Sequence, residues 1–325
     1  MHASLVGVTR LCVPSTSVLD RGLAMARRQD DPEPELIAML DTAVVGDPAG
    51  TPAEQLAEVR FWVPDFLGAD PVRYRAGVAA MPRLQVIQAQ TAGVDVLLQV
   101  VPEGVQLCDA RGVHGSSTAE WALTALLSIF REFPRFERAR QQRRWDYSVT
   151  DELAGKRVLI VGAGDVGQQL GRRIAACDAE PLFVARTGRD GVHGIDELPR
   201  LLPAADAVVL IVPKTPQTVG MVDARFLAAM ADGAVLVNAA RGPVVDTAAL
   251  LAELTSGRLR AAVDVTDPEP LPSDHPLWTA PNLLLTPHVA GSVLGFGDRF
   301  AALLVAQLQR YLRGEQLQNA VTGAY

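Results

Sequence analysis

Three side chains in the second half of the chain could carry out chemistry together: Arg241, Glu269 and His288. The planar guanidinium of an arginine can hold a carboxylate through two hydrogen bonds and polarise an oxygen beside it. A histidine titrates near neutral pH, so it can donate a proton in one direction of a reaction and accept it in the other. A neighbouring carboxylate stabilises imidazolium and orients the ring. This set predicts the reduction of a carbonyl group next to a carboxylate, or the reverse oxidation.

Each of these residues follows a short apolar run that predicts a strand. Arg241 lies in NAARG, Glu269 in DVTDPEP and His288 in TPHVAG. The carboxyl ends of parallel strands line one crevice, so the three side chains can converge there. Singly, each has an ordinary alternative as a surface ion-pair partner, a solvated loop acid or a packed histidine, but their joint occurrence favours a site. The remaining histidines have no such setting and receive no chemical role: His2, His114, His193 and His275.

A glycine-rich hexapeptide, GAGDVG at 162–167, lies between the apolar run 158–161 and a helical pattern at 166–176. In such a loop the first glycine permits the turn, the second lets a pyrophosphate approach the backbone, and the third allows close helix packing. The phosphate then lies at the helix N-terminus, where unpaired N–H groups and the helix dipole attract an anion. A purely structural turn is the alternative, but the strand before it and the helix after it favour dinucleotide binding.

The end of the next apolar run, 181–185, decides which dinucleotide is expected. NAD-binding proteins place an acid there, about 20 residues beyond the glycines, to bind the ribose hydroxyls. This chain instead has Arg186-Thr187-Gly188-Arg189, with Arg186 at the position of the acid. A guanidinium can bind a 2′-phosphate, and the missing acid removes a repulsion, so NADP(H) is the preferred cofactor and NAD(H) the alternative. Otherwise Arg186 stacks on the adenine or lies in solvent.

These motifs require an α/β domain to position them. Short apolar runs alternate with helical patterns through the second half of the chain, which is typical of a parallel sheet with helices on both faces. The predicted strands of this domain are 158–161, 181–185, 207–212, 234–238, 261–265 and 282–285. The predicted helices are 166–176, 224–230 and 247–256.

A second α/β unit is expected at the start of the chain. Its predicted strands are 60–63, 84–88 and 105–108. The helical pattern at 295–313 is too short to fold alone, so we assign it to this unit. The substrate domain is then discontinuous, comprising 1–112 and 291–325, and the NAD(P)-binding domain, 113–290, is inserted in it.

The composition restricts the class of protein. The 325 residues suffice for two domains, and 49% hydrophobic with 21% charged residues suits a globular α/β protein. A net charge of −7 argues against binding to nucleic acid or an anionic membrane. Cys12, Cys108 and Cys177 form neither a CxxC pair nor a zinc pattern, so we expect buried free thiols and no metal. Because no run predicts a membrane helix or secretory signal, we expect a cytoplasmic protein acting on a small molecule.

In order and spacing, these motifs resemble the D-isomer-specific 2-hydroxyacid dehydrogenase family, particularly its glyoxylate and hydroxypyruvate reductases. The resemblance is strongest over 117–291; in the first domain the loop QTAGVD carries it. The family implies two parallel-sheet domains, Rossmann-like or flavodoxin-like, with a deep cleft between them. It implies an NAD(P)-dependent enzyme that reduces a small 2-keto acid to the D-2-hydroxy acid. It also implies that backbone N–H groups at Ala92 and Gly93 help Arg241 hold the substrate carboxylate, and that Asp264 contacts the cofactor.

The predicted site combines these residues. His288 is the proton donor in reduction and the base in oxidation, Glu269 is its partner, and Arg241 binds the substrate carboxylate. The predicted substrate-binding residues are Ala92, Gly93, Arg241 and His288. The predicted dinucleotide-binding residues are Gly162, Gly164, Asp165, Val166, Gly167, Arg186, Thr187, Arg189, Pro213, Thr218, Ala239, Asp264 and Gly291.

Two alternative functions use the same scaffold. Formate dehydrogenases of the family pair the histidine with a glutamine where this chain has Glu269, and phosphite dehydrogenases carry a lysine where it has Ala92, which disfavours both. A dinucleotide-sensing scaffold that acts through protein partners is the alternative from another class. The presence of Arg241, Glu269 and His288 argues against it.

The segment 116–133 predicts a helix crossing between the domains, N-capped by Ser116-Ser117-Thr118 before Glu120. It is apolar on more than one face, so it must be buried on several sides, by a partner or within one chain. Its large apolar residues are Trp121, Leu123, Leu126, Leu127, Ile129 and Phe130. Relatives dimerise through this region, which implies a homodimer. No spacing rule selects the wall of the substrate pocket, for which the candidates are Trp145, Tyr147, Trp278, Leu294 and Phe296.

Overall fold

The residues described by a computed structural model of the chain are 10–29, 33–66 and 70–322. They form two compact units. The first takes its residues from Met1–His114 and Leu294–Tyr325, and the second is Gly115–Val293, whereas the sequence places the crossings after residues 112 and 290. Residues 1–9 lie outside the described residues. They include His2 and most of the N-terminal segment in which no secretory signal is predicted.

Strands and helices alternate along both units. In the first unit they are β1 (Arg10–Val13), α1 (Thr16–Arg27), α2 (Pro34–Asp41), β2 (Val44–Val45), α3 (Ala53–Leu56), β3 (Val59–Trp62), α4 (Pro71–Ala80), β4 (Val86–Gln88) and β5 (Gln106–Cys108). In the second they are α5 (Gly115–Phe130), α6 (Phe133–Gln141), β6 (Arg157–Val161), α7 (Asp165–Ala175), β7 (Glu180–Ala185), β8 (His193–Gly194), α8 (Leu198–Leu201), β9 (Ala207–Leu210), α9 (Ala224–Ala229), β10 (Val235–Asn238), α10 (Thr247–Ser256), β11 (Arg260–Val263) and β12 (Leu283–Leu285). The chain then returns to the first unit with α11 (Phe296–Leu312).

The first unit contains a five-stranded parallel sheet with the order β2-β1-β3-β4-β5. Alternate residues of a strand point to opposite faces of the sheet. Leu11 and Val13 on β1 join one apolar core, and Cys12 between them joins another. Both faces of the sheet are therefore covered, as parallel sheets require.

The second unit contains a seven-stranded parallel sheet with the order β12-β11-β10-β9-β6-β7-β8. Its strands also alternate between two cores: Leu159 and Val161 of β6 enter one, and Val158 and Ile160 enter the other. The strand order reverses between β6 and β9, and this is where ligands bind in doubly wound sheets. Within the described part of the chain, no helix is long and apolar enough to cross a membrane.

The cysteines lie where apolar side chains would. Cys12 and Cys108 are buried, and Cys177 is partly buried. Burial raises the pKa of the Cys12 and Cys108 thiols to about 12. Both therefore remain protonated and are poor nucleophiles.

The predicted strands are present with ends shifted by one or two residues. The helix predicted over 116–133 is also present, but both of its predicted ends were wrong. The helix α5 already begins at Gly115, so Ser116 and Thr118 lie within its first turn and do not cap it. It ends at Phe130 because Glu132 adopts a left-handed conformation (φ +51°) before α6 begins. Three strands were not predicted from the sequence: β1, β2 and β8.

Candidate active site

The carboxyl end of β6 leads into the glycine loop. Gly162 has a φ of +125°, which other residues rarely adopt, and a Cβ there would lie 2.2 Å from the carbonyl oxygen of Ile211. A Cβ on Gly167 would lie 2.0 Å from the carbonyl oxygen of Gly162. Both positions therefore require glycine so that β6, its turn and α7 can pack together.

Gly164 differs from these two glycines because no other atom lies within 4 Å of a Cβ built there. It is the N-cap of α7 and has an extended backbone. Open space at this point is what a pyrophosphate needs to reach the N–H groups of the first helical turn. The loop therefore fits a dinucleotide phosphate.

The first residue of α7 is an acid, Asp165. Its carboxylate accepts a hydrogen bond from Nε2 of Gln169 at 3.3 Å. It also lies against the start of α5, since a Cβ built on Gly115 would come within 1.9 Å of its Oδ2. The helix that would bind the phosphate thus already carries one negative charge in its first turn.

The turn after β7 carries two arginines. Arg189 donates from Nη2 to the carbonyl oxygen of Ala163 at 3.4 Å, which connects this turn to the glycine loop. Its backbone pairs with that of Val192 in a short antiparallel bridge. Arg186 and Thr187 are exposed at the same turn. Both guanidinium groups therefore follow the strand adjacent to β6, where a ribose-binding acid would otherwise stand.

The turn after β9 lies on the other side of β6. The hydroxyl of Thr218 donates to the carbonyl oxygen of Pro213 at 2.7 Å and accepts from the amide of Thr215 at 2.8 Å. Thr218 therefore stabilises the turn itself. Contacts of Pro213 and Thr218 with a dinucleotide stay a prediction.

The loop after β10 presents Arg241. Asn238 shapes this loop: its Nδ2 donates to the carbonyl oxygen of Arg241 at 3.1 Å, and its Oδ1 accepts from the amide of Ala240 at 3.0 Å. Gly242 permits close packing, because a Cβ there would lie 1.8 Å from the carbonyl oxygen of Thr266. The loops after β10 and β11 are therefore in backbone contact, which brings Arg241 beside the loop of Glu269.

Asp264, one residue after β11, supports the loop that carries His288. It is 2% exposed. Its carboxylate accepts hydrogen bonds from the hydroxyl of Thr286 (2.6 Å) and from the amides of Val289 (2.8 Å) and Ala290 (2.9 Å). Its carbonyl oxygen accepts from the amide of His288 at 2.7 Å. Asp264 thus fixes the backbone of this loop, and its predicted contact with the cofactor stays a prediction.

His288 and Glu269 form a hydrogen-bonded pair. Nδ1 of His288 lies 2.6 Å from Oε1 of Glu269, and the backbone of His288 has a left-handed φ of +55°. The two side chains are 46% and 40% exposed, so a substrate can reach them. Because Nδ1 is occupied by the carboxylate, Nε2 is the nitrogen that can exchange a proton with a substrate.

The charges around Glu269 keep it ionised. Burial raises the pKa of its carboxyl, but this is outweighed by the hydrogen bond and charge of His288, the amide of Thr266 and the charge of Arg241, so the pKa is lowered. The second unit therefore brings the three predicted catalytic residues into one electrostatic group. Such a group can hold an anion, orient an imidazole and transfer a proton.

Ala92 and Gly93 follow β4 in the first unit. The hydroxyl of Thr91 donates to the carbonyl oxygen of Gly93 at 2.8 Å, and the amide of Ala110 donates to the carbonyl oxygen of Thr91 at 3.0 Å. The loop is thus braced by its own hydrogen bonds. The roles of the remaining predicted residues stay predictions: Ala92 and Gly93 toward the substrate, and Val166, Ala239 and Gly291 toward the dinucleotide.

The proposed pocket walls lie mostly at the surface of their own units. Trp145, Tyr147, Trp278 and Leu294 are exposed, whereas Phe296 is partly buried. The supporting roles of Asn238 and Thr286 were not predicted from the sequence. Their only sequence signal is a polar residue at the end of an apolar strand, and this is common in α/β proteins.

The chain matches a family model described as the NAD-binding domain of D-isomer specific 2-hydroxyacid dehydrogenase. The match covers residues 123–290, which include the glycine loop, Arg241, Glu269 and His288.

Related sequences carry different activities. A glyoxylate reductase of Thermofilum pendens is 32% identical over 251 residues, covering 73% of this chain and 74% of the relative. A D-3-phosphoglycerate dehydrogenase of Mycobacterium tuberculosis is 34% identical over 255 residues, covering 75% of this chain. This chain spans only 48% of that relative's length.

Solved structures match nearly the whole chain. A D-isomer specific 2-hydroxyacid dehydrogenase family protein from Aeromonas salmonicida has a TM-score of 0.82 and 28% identity, covering 97% of this chain and 99% of that one. An NADPH-dependent glyoxylate/hydroxypyruvate reductase from Sinorhizobium meliloti, in complex with NADP and sulfate, has a TM-score of 0.79 and 25% identity. That match covers 96% of this chain and 98% of the other.

Proposed function

Because the chain belongs to the D-isomer specific 2-hydroxyacid dehydrogenase family of NAD(P)-dependent oxidoreductases, we propose that it reduces a small 2-keto acid to the D-2-hydroxy acid. The observation that carries the proposal is the hydrogen-bonded pair of His288 and Glu269, with Arg241 close enough to lower the pKa of the carboxyl. Glyoxylate and hydroxypyruvate are the first candidates, because similar proteins are glyoxylate or glyoxylate/hydroxypyruvate reductases.

His288 handles the proton in this proposal. When bound, the nicotinamide cofactor supplies the hydride. The imidazolium of His288 donates a proton from Nε2 to the developing alkoxide, and the neutral ring accepts it back in oxidation. Glu269 keeps the ring oriented through Nδ1 and stabilises the charged form.

Arg241 holds the substrate carboxylate. Its planar fork matches a carboxylate and can also polarise the keto oxygen, whereas a lysine would act only as a point charge. The N–H groups of Ala92 and Gly93 assist, as the family resemblance implies. A keto group next to a carboxylate is therefore the chemistry that this set selects.

NADPH is the proposed cofactor. Arg186 and Arg189 follow β7, the strand adjacent to β6, and Arg189 is hydrogen-bonded to the glycine loop at Ala163. This supports their proposed role in binding a 2′-phosphate. Steady-state kinetics with both cofactors test this directly. We expect a higher kcat/KM with NADPH, and replacing Arg186 with alanine should remove most of that preference; a native preference for NADH would contradict the proposal.

The reaction is tested by NADPH oxidation with a panel of 2-keto acids. We expect turnover with glyoxylate or hydroxypyruvate. We expect His288→Ala to lower kcat by about a thousandfold while NADPH affinity stays nearly unchanged. Activity that survived this substitution would exclude His288 as proton donor, and tight dinucleotide binding without any turnover would favour a sensing scaffold.

The proposed enzyme is a homodimer. Part of the apolar surface of α5 is already buried within the second unit: Leu126, Ile129 and Phe130. Trp121, Leu123 and Leu127 remain partly exposed, and Trp145 and Tyr147 are 95% and 85% exposed after α6. A partner would cover these side chains. Sedimentation velocity decides the question, and a monomer at assay concentration would contradict it.

A further inference from the structure

No sequence motif gives His114 a chemical role, yet its ring makes a defined contact in the first unit. Its Nε2 lies 2.8 Å from the carbonyl oxygen of Gln90, just after β4. Gln90 is 3% exposed, so water cannot easily take the place of His114 as the hydrogen-bond partner of this carbonyl oxygen. The histidine therefore supplies a hydrogen bond at the start of the loop that contains Ala92 and Gly93.

Residues of α11 fix this ring in place. Phe296 stacks on it, with ring centroids 5.0 Å apart and an angle of 22° between the planes, and Phe66 packs edge-on against Phe296 at 5.6 Å. Nε of Arg299 donates to the carbonyl oxygen of Val113 at 2.7 Å, which fixes the backbone next to His114. Both the plane of the imidazole and its attachment to the chain are thus set by packing.

The loop itself is braced on its other sides. Nε2 of Gln90 donates to the carbonyl oxygen of Pro64 at 2.9 Å. The Thr91 hydroxyl bonds to Gly93, and Thr91 in turn accepts from Ala110. The hydrogen bond from the histidine completes this set, so the loop backbone has little freedom to reorient.

We propose that His114 is a positioning residue that fixes the loop 90–93 so that its N–H groups can hold the substrate carboxylate. The inference rests on the proposed function, in which Ala92 and Gly93 assist Arg241. His114 acts through Gln90 and has no part in the proton transfer. Without its hydrogen bond a buried carbonyl loses its partner, and the loop rearranges to recover one. Binding of the carboxylate then weakens while the chemical step keeps its rate.

The test compares three substitutions in the full chain: His114→Phe, His114→Gln and His114→Asn. Phenylalanine keeps the stack on Phe296 but cannot donate to Gln90; a glutamine amide reaches as far as Nε2, and an asparagine amide is too short. We expect H114F and H114N to raise the KM for glyoxylate and the inhibition constant of oxamate about tenfold. We expect kcat and the Kd of NADPH to stay within about twofold, and H114Q to restore substrate binding to within about threefold.

Amide hydrogen exchange at residues 90–95 provides a readout that needs no turnover. We expect faster exchange in H114F and H114N than in H114Q and the native chain. Unchanged exchange would show that His114 does not hold the loop, and faster exchange with unchanged KM and oxamate binding would show that the loop does not serve the carboxylate. Either result overturns the proposal. If H114F does not fold, the Gln and Asn pair still gives the answer.

Failure of the proposed function would look different. The native chain would then reduce no keto acid, whereas the role of His114 would still be decided by calorimetry of oxamate with the NADPH-loaded protein. Equal oxamate affinity in H114N and H114Q would overturn the positioning role.

Discussion

Each of the two sheets has one position where the strand order reverses, and the turns at these two positions differ in their residues. In the first sheet β1 lies between β2 and β3, and in the second β6 lies between β7 and β9. In both sheets the strand at the reversal runs directly into a helix, α1 or α7. Ligands commonly bind at such positions in open α/β sheets.

The residues of the two turns explain the difference. After β6, Gly162 adopts a positive φ and Gly164 leaves open space at the start of α7. After β1, the chain passes through Pro14, and the adjacent crevice is lined by Asp47 and Arg73, whose Oδ2 and Nη2 form an ion pair at 2.6 Å. The same topology thus gives one turn that is open to a phosphate and another whose crevice is lined by an ion pair of the protein itself. Strand order offers a place for a ligand, and the residues of the turn decide whether one binds.

Alanine substitutions in the glycine turn should break this difference with the largest effect. We expect Gly162→Ala to lower Tm and abolish NADPH binding, because its methyl group would meet the carbonyl oxygen of Ile211 at 2.2 Å. We expect Gly164→Ala to keep Tm within about 2 °C of the native value, since no atom lies within 4 Å of a Cβ built at this position. It should nevertheless weaken NADPH binding about a hundredfold, because the phosphate needs that space. Fluorescence titration and thermal unfolding measure the two quantities separately.

Gly257→Ala is the matched control for this pair. Gly257 has a φ of +76° with no atom near its Cβ, and it ends α10 far along the chain from the glycine loop. This variant measures the cost of the positive φ alone. Native NADPH affinity in the Gly164 variant would mean that no phosphate approaches the backbone at that point.

A second expected effect concerns the hydrogen-bonded pair of Glu269 and His288, which follow β11 and β12 of the second sheet. Glu269 has a lowered pKa, so it stays ionised at pH values where an ordinary glutamate begins to protonate, and its pairing with His288 is lost only at still lower pH. We expect Glu269→Gln to lower kcat about a hundredfold at neutral pH, because imidazolium loses its carboxylate partner. The alkaline limb of the pH profile for reduction should move to lower pH. The measurement is kcat/KM against pH for both proteins.

Glu253→Gln provides a comparison for this substitution, since Glu253 pairs with Arg258 at 2.7 Å in the same unit. It should leave the profile for reduction unchanged. If Glu269→Gln kept the native profile as well, the hydrogen bond to His288 would not contribute to proton transfer.

The sequence predicts most of the second sheet and the site at its edge, because these depend on local signals. A buried parallel strand is a continuous apolar run, so residues 158–161 and 234–238 identify β6 and β10 without knowledge of their neighbours. The three residues of the candidate site could also be identified from the sequence, since each of them follows such a run. The sequence missed β2 and β8, which have only two residues each and show no periodicity.

Contacts between distant residues could not be predicted in this way. Asp264 bonds to the loop 286–290 more than 20 residues away, and no local pattern marks that partnership. His114 contacts Gln90, which precedes it by 24 residues, and Phe296, which follows it much later in the chain. Such roles depend on which strands become neighbours, and strand order is set by the packing of the whole unit.

A smaller effect should sharpen the comparison at the phosphate turn itself. Asp165 places a negative charge in the first turn of α7. This charge interacts favourably with the helix dipole but repels a bound phosphate. We expect Asp165→Asn to tighten binding of NADPH and NADH alike by about threefold, with a smaller gain at high salt. Asp178→Asn makes the same charge change beyond the other end of α7 and should have no such effect. A gain for one dinucleotide alone would place Asp165 near the 2′-phosphate and contradict this account.

The smallest effect is expected at the first reversal position. Arg73 pairs with Asp47 at the surface, and an exposed ion pair contributes little to stability. We expect Arg73→Gln to leave the Kd of NADPH and the KM for glyoxylate within about twofold, and Tm within about 1 °C. We would measure NADPH binding, steady-state kinetics and thermal unfolding for this variant and for the Gly164 variant. The two reversal positions are then compared by the same three quantities. A clear loss of substrate or cofactor affinity in Arg73→Gln would show that the crevice after β1 binds a ligand despite its ion pair, and the contrast between the two turns would then lie in which ligand they accept.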